Sequence, residues 1–140
     1  MKKPTLIILS LLAAAIVMVV IFILNRESLD TVSTSAKNIN KNLLVGNWLR
    51  TDAGYRILIS NLNEDGTLSA QYFNPNPINV GKANWEESYG NLKIIIELRD
   101  VNYPGSTYRL SYLSDRDVLA GEYYQAVEGL TFYVEFARNK

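Results

Sequence analysis

The chain has 140 residues with fourteen basic and fourteen acidic side chains, which is enough for one domain of ordinary size. Cysteine and histidine are both absent, which excludes disulfides, thiolate or imidazole metal sites and catalysis by Cys or His, and we expect no metal ion or cofactor. Without Lys2 and Lys3 the acidic residues outnumber the basic ones, which predicts no nucleic-acid partner because phosphate binding needs a concentrated basic face.

The first element is an uncharged apolar segment of 20 residues from Thr5 to Leu24. A helix of that length spans about 30 Å, the thickness of the hydrocarbon core of a bilayer. A small-x-small cleavage site does not follow Leu24 directly, which favours an uncleaved anchor, although Ser33 to Ala36 offers a late cleavage site as the alternative. We therefore predict a transmembrane signal anchor over residues 1–24, which holds the protein in the membrane through residues 5–24.

The charges that flank the apolar segment predict its orientation. Lys2 and Lys3 precede the segment, whereas Arg26 after it is followed by Glu27 and Asp30. The positive-inside rule then keeps the N-terminus in the cytoplasm and the rest of the chain outside.

A polar linker follows the anchor over residues 25–42. This stretch is rich in Ser, Thr, Asn and Lys and has no sustained apolar period, although a short helix around Ala36 to Leu44 is an alternative. As flexible coil its ends lie roughly 23 Å apart, far enough to separate a domain from the lipid headgroups.

Residues 43–140 form the predicted domain, which contains short runs of Val, Ile, Leu and Tyr between turn residues. This texture predicts an all-β fold, and the clearest alternation places four apolar side chains from Leu92 to Leu98 on one face. We predict eight strands, near Val45–Arg50, Tyr55–Leu62, Thr67–Phe73, Ile78–Glu87, Leu92–Arg99, Thr107–Leu113, Val118–Gln125 and Leu130–Arg138.

The alternation in the last strand and the position of Trp48 indicate which side chains fill the interior of the domain. In the last strand Leu130, Phe132, Val134 and Phe136 would face inward, with Thr131, Glu135 and Arg138 on the other face. Trp48 is expected to be a core residue near the base of a small barrel.

Three predicted connections are short and polar: Asn63–Gly66, Tyr89–Asn91 and Ser114–Asp117. They are typical of hairpin turns, because Gly and Asn adopt the positive φ that such turns require. Eight successive antiparallel strands favour an up-and-down barrel of the lipocalin/avidin-like kind, since closure removes exposed edges. An open meander or a sandwich is the alternative.

The remaining connections fall at the opposite end of such a barrel: Thr51–Gly54, Asn74–Pro77, Asp100–Gly105 and Ala126–Gly129. Irregular connections on a rigid barrel are typical places for a binding site, although Pro and Asn also serve simply to end strands. The residues predicted to bind a small uncharged polar-aromatic or sugar-like ligand are Tyr72, Asn74, Asn76, Asn102, Tyr103 and Gln125.

Two resemblances support this interpretation. Gly46-Asn47-Trp48 and the hairpin around Asp65-Gly66 resemble the start of avidin-like and lipocalin-like barrels, in which Tyr72 would match a ligand-contacting tyrosine. Arg50 stands where avidins carry a biotin-binding asparagine, so the resemblance implies the barrel rather than biotin binding.

The second resemblance rests on three runs: Asn74–Ile78, Val101–Tyr108 and Gly121–Gln125. They are similar to those of a group of small exported bacterial proteins. This similarity implies no activity, but it implies a bacterial inner (cytoplasmic) membrane for the anchor and a periplasmic or extracellular domain.

Without His or Cys, the remaining options for catalysis need a Lys base or paired carboxylates. Glu97, Asp100 and Glu122 would have to approach one another to hydrolyse sugars, but Glu97 alternates with apolar residues and is expected to face solvent. Asp115-Arg116-Asp117 offers too few oxygen ligands for calcium. We therefore predict a non-enzymatic, membrane-tethered barrel that binds a small molecule, or alternatively an accessory module of an envelope complex with a filled barrel.

Overall fold

The computed structural model describes residues 39–139. The predicted anchor over residues 1–24 and the linker up to residue 38 lie outside this range. Within residues 39–139, no helix is both long enough and apolar enough to cross a membrane.

The described chain is all-β and antiparallel, as the sequence pattern predicts, and a single 3-10 turn over Lys41–Leu44 precedes the first strand. It has nine strands where eight were predicted. They are β1 (Gly46–Arg50), β2 (Arg56–Leu62), β3 (Leu68–Asn74), β4 (Asn76–Ile78), β5 (Val80–Ser88), β6 (Asn91–Asp100), β7 (Tyr103–Leu113), β8 (Val118–Gln125) and β9 (Leu130–Arg138).

The strands form one sheet that curls into a nearly closed barrel, in the order β4-β3-β2-β1-β9-β8-β7-β6-β5. Every neighbouring pair is antiparallel, and the first strand pairs with the last. Between the two edges, the described residues form a single bridge from Thr67 to Asn84, and the Trp85 amide donates to the Gly66 carbonyl at 2.8 Å. The predicted barrel is therefore confirmed in its coarse form, with closure between β3 and β5 confined to one end.

The additional strand arises because the predicted strand Ile78–Glu87 is interrupted at Asn79. Ile78 pairs with Tyr72 of β3, whereas Val80 pairs with Leu98 of β6. The Asn79 amide donates to the Asp100 carboxylate at 3.0 Å, and the Asn79 carbonyl accepts from Arg99 at 2.8 Å. The chain thus changes partner strand at this residue, which a continuous alternation in the sequence does not show.

The barrel is filled in its lower part, which is the end that contains the 3-10 turn. Trp48, Tyr108 and Phe136 are fully buried, and the alternating residues from Leu92 to Leu98 are at most 1% exposed. The Trp48 indole donates to the Leu44 carbonyl at 2.9 Å, so the polar atom of this side chain is satisfied inside the core.

The last strand departs from its predicted pattern at both ends. Val134 and Phe136 are buried, but Leu130 and Phe132 are more than 40% exposed because they lie at the open end, above the core. Arg138 was predicted to face outward, yet its guanidinium lies 4.1 Å from the centre of the Trp48 ring and its Nε donates to Asp117 at 2.8 Å. A charged residue therefore covers the base of the core.

Some of the connections are shorter than the sequence suggests. Tyr89 and Gly90 both have positive φ, as a two-residue type I′ hairpin turn requires. The predicted loop Asp100–Gly105 is also a two-residue turn, formed by Val101 and Asn102, because the flanking strands continue to the turn. The predicted contrast between tight and irregular ends is consequently too strong.

Candidate functional site

A pocket of about 430 Å³ lies at the open end of the barrel, above the filled part. The ends of β1, β3 and β8 and the starts of β2, β7 and β9 surround it. Five of the six residues predicted to bind a ligand line it: Tyr72, Asn74, Asn102, Tyr103 and Gln125. The antiparallel topology explains this convergence, since the upper connections of an up-and-down barrel all meet at one end.

The sixth predicted residue, Asn76, does not line the pocket. The chain reverses at Pro75, so that Asn74 and Asn76 face each other across the β3–β4 pair. Asn76 then lies exposed on the edge strand of the sheet, while Asn74 is half-buried at the pocket wall. Two asparagines only two residues apart therefore have different surroundings.

Four of the eleven residues that line the pocket are tyrosines. The Tyr72 ring centre lies 6.4 Å from that of Tyr55 and 6.3 Å from that of Tyr103. Tyr123 closes another side and stacks on the buried Tyr108 with 4.4 Å between ring centres. Rings in these positions present apolar faces and polar hydroxyl groups to the same space.

Tyr72, which lines the pocket, belongs to a buried pair of hydroxyl groups. The Tyr72 and Tyr108 hydroxyl oxygens are 3.0 Å apart and share a hydrogen bond. Burial away from water raises the pKa of both phenols well above the ordinary value for tyrosine. Both hydroxyls are therefore neutral at physiological pH and can donate and accept hydrogen bonds.

Sequence reasoning missed an ion pair in the pocket wall. Arg50 is followed two residues later by Asp52, whose carboxylate accepts from the Arg50 Nε at 2.6 Å and Nη2 at 3.0 Å. The Arg50 side chain is only 11% exposed, whereas that of Asp52 is 60% exposed. The signal was present in the sequence, because Arg50 has the same strand parity as the core residue Trp48.

The amide groups complete the polar part of the site. The Asn74 side-chain nitrogen donates to the Tyr103 hydroxyl, which fixes both groups at the rim. Asn102 is exposed in the turn between β6 and β7, and Gln125 is half-buried at the end of β8. The pocket thus combines amide donors and acceptors with aromatic walls, an arrangement typical of sites for small polar ligands.

The three carboxylates considered for catalysis have other partners or positions. Glu97 accepts from the Arg99 Nε at 2.6 Å, and Asp100 accepts from the backbone amides of Asn79 and Val101. Glu122 is exposed on β8. The lining of the pocket at the open end does not include any of these three residues.

Comparison with known protein families, curated proteins and solved structures finds no match to this chain. The class of protein is therefore defined by the fold and the site alone. It is a small, nearly closed antiparallel β-barrel, filled at its base and open at one end into a pocket of tyrosines, amides and an arginine–aspartate pair.

Proposed function

We propose that the protein is a non-enzymatic binding module that holds a small, uncharged, polar-aromatic or sugar-like molecule at the open end of its barrel. The observation that carries this proposal is the pocket of about 430 Å³, which is lined by five residues that sequence reasoning had already selected. Its volume falls within the range of small-molecule sites, roughly 300–1,000 Å³.

The chemistry of the pocket supports binding rather than catalysis. A general acid or base works best with a pKa near the working pH. Burial raises the pKa of Tyr72 and Tyr108 away from that range, and hydrogen bonds from Arg50 lower the pKa of Asp52. These groups keep one protonation state at neutral pH, which suits them to hydrogen bonding.

A thermal-shift screen of small neutral sugars and phenols, followed by paired variants, tests the binding site. For any ligand found, Asn102→Ala combined with Gln125→Ala should weaken binding by about tenfold or more, because two amide hydrogen bonds are lost. Asn76→Ala is the matched control, since Asn76 lies outside the pocket and should leave affinity unchanged.

The opposite pattern would reject the proposed site. If Asn76→Ala weakened binding as much as the double variant did, the ligand would bind elsewhere on the barrel. A melting temperature for the free double variant far below that of the original protein would instead make Asn102 and Gln125 structural turn residues.

We also propose that the barrel is tethered on the outer side of a bacterial cytoplasmic membrane through residues 5–24. The support is the 20-residue uncharged segment and the lysines before it. Protease added to spheroplasts should remove a tag placed after Lys140. A protected tag, or a mature protein that begins near Lys37, would contradict this proposal.

A second candidate is an accessory role in an envelope complex, in which the barrel docks an envelope protein. The observation that favours it is the set of exposed apolar side chains at the open end, where Val101 is 91%, Val127 62% and Leu130 47% exposed. Val101→Ser combined with Val127→Ser should abolish docking and leave small-ligand affinity unchanged, which separates the two roles.

A further inference from the structure

The Arg50–Asp52 pair gives the pocket an unusual polar wall. A guanidinium held in the plane of two parallel hydrogen bonds is the geometry by which arginine recognises carboxylates. Here that position is taken by a carboxylate of the same chain, in the connection between β1 and β2. The positive charge of Arg50 and the negative charge of Asp52 therefore cancel within the pocket wall.

The two side chains of this ion pair differ in how deeply they are buried. Arg50 is almost completely enclosed, and its guanidinium lies 5.1 Å from the centre of the Tyr55 ring. The Asp52 side chain is largely in solvent and contributes little to the packing of the barrel. Without it, the buried Arg50 cation would face the pocket without this partner. Loss of Asp52 would therefore leave the Arg50 guanidinium available to another carboxylate in the pocket.

We infer that Asp52 sets the ligand specificity of the pocket: by occupying the carboxylate-binding edge of Arg50, it selects neutral polyhydroxylated ligands over their acidic counterparts. This inference rests on the proposed binding function and names the residue that decides the class of ligand.

Two physical arguments support the selection. Asp52 is tethered two residues from Arg50, so its effective concentration at the guanidinium is on the order of millimolar or higher, which a free acid must exceed. An acid that did not displace Asp52 would place two carboxylates beside each other, which is unfavourable. A neutral sugar does not have to displace Asp52 and does not bring a second carboxylate beside it.

Neutral hydroxyl groups can use the intact pair. A guanidinium has five N–H donors, of which Asp52 takes two. The carboxylate of Asp52 accepts several hydrogen bonds at once and remains 60% exposed. Adjacent hydroxyls of a sugar ring can therefore accept from Arg50 and donate to Asp52, while the ring faces stack on the tyrosine walls.

The test uses phenyl β-glucoside and phenyl β-glucuronide, two probes that differ only at C6, where a hydroxymethyl group is replaced by a carboxylate. Isothermal titration should show that the original protein prefers the glucoside by about tenfold or more. Asp52→Asn should move this preference by at least about tenfold toward the glucuronide, because Arg50 is then open to a carboxylate.

Two further variants separate a local effect from a general one. Asp115→Asn removes the same charge from the exposed turn at the opposite end and should keep the original preference. Arg50→Gln combined with Asp52→Asn should abolish the gain in glucuronide affinity. If Asp52→Asn fails to fold, Asp52→Ser is expected to show the same shift.

The outcomes distinguish this inference from the proposed function. An unchanged preference in Asp52→Asn overturns the inference and leaves the pocket as a binding site. A gain that persists without Arg50 also overturns it, because net charge would then be the cause. If neither probe binds any variant, the inference is wrong, and the ligand screen with the Asn102 and Gln125 variants judges the proposed function separately.

Discussion

Replacement of Trp48 by alanine is expected to lower the free energy of unfolding by about 3–5 kcal/mol, the usual cost of truncating a buried large aromatic side chain. Trp48 is fully buried, and its ring centre lies 6.0 Å from that of Tyr112. The change also leaves the Leu44 carbonyl without its indole partner and removes the ring beneath the Arg138 guanidinium. The cavity, the lost hydrogen bond and the lost cation–π contact act in the same direction.

Urea unfolding followed by circular dichroism measures this loss without depending on tryptophan fluorescence. Tyr89→Ala is the control, since Tyr89 is fully exposed in a turn and its truncation should change stability by no more than about 0.5 kcal/mol. A loss below about 1 kcal/mol for Trp48→Ala would remove Trp48 from the core.

The second large effect concerns alkaline pH. Burial raises the pKa of Tyr72 and Tyr108 well above the ordinary value of about 10, so both phenols stay protonated in the folded protein. The unfolded chain loses these protons near pH 10, so above that pH it binds fewer protons than the folded chain. The contribution of each phenol to the free energy of unfolding is therefore fully present below about pH 10. It is lost as pH rises above that value, by about 1.4 kcal/mol per pH unit for each phenol.

Between about pH 10 and pH 12 the folded protein therefore loses stability steadily, and the hydrogen bond between the two hydroxyls couples their ionisation. We expect cooperative unfolding in this range, with tyrosinate absorbance rising together with the loss of the β signal. Tyr72→Phe should make the dependence on pH shallower, whereas Tyr89→Phe should not. Full ionisation of every tyrosine in a protein that stays folded would contradict the prediction.

Much of the barrel could be predicted from the sequence because most strands are half-buried and show period-two alternation. β6 is the clearest case, since its alternating residues Leu92, Ile94, Ile96 and Leu98 all lie in the core. The break at Asn79 could not be predicted in this way, because Ile78–Glu87 was predicted as one strand and Asn74–Pro77 as a connection. Only the choice of partner strand changes there, and that choice depends on tertiary hydrogen bonds to Arg99 and Asp100.

The candidate site was predicted in part for the same reason. Tyr72 and Gln125 lie at strand ends whose position follows from the order of the hairpins. Arg50 was missed because a charged strand residue is ordinarily taken to face solvent, although its parity with Trp48 placed it inside the barrel. Asn76 was misplaced because a one-residue reversal at Pro75 moves the chain from the pocket wall to the sheet edge.

The two edges of the sheet at β4 and β5, which are bridged at only one end of the barrel, bear on how this protein meets other molecules at high local concentration. Exposed strand edges recruit strands from other molecules, but β4 has only three residues and contains Pro77, which has no amide hydrogen to donate. β5 carries a register irregularity between Val80 and Lys82, and Lys82 adds an exposed charge. These features disfavour the addition of a strand from another molecule along β4 and at the start of β5.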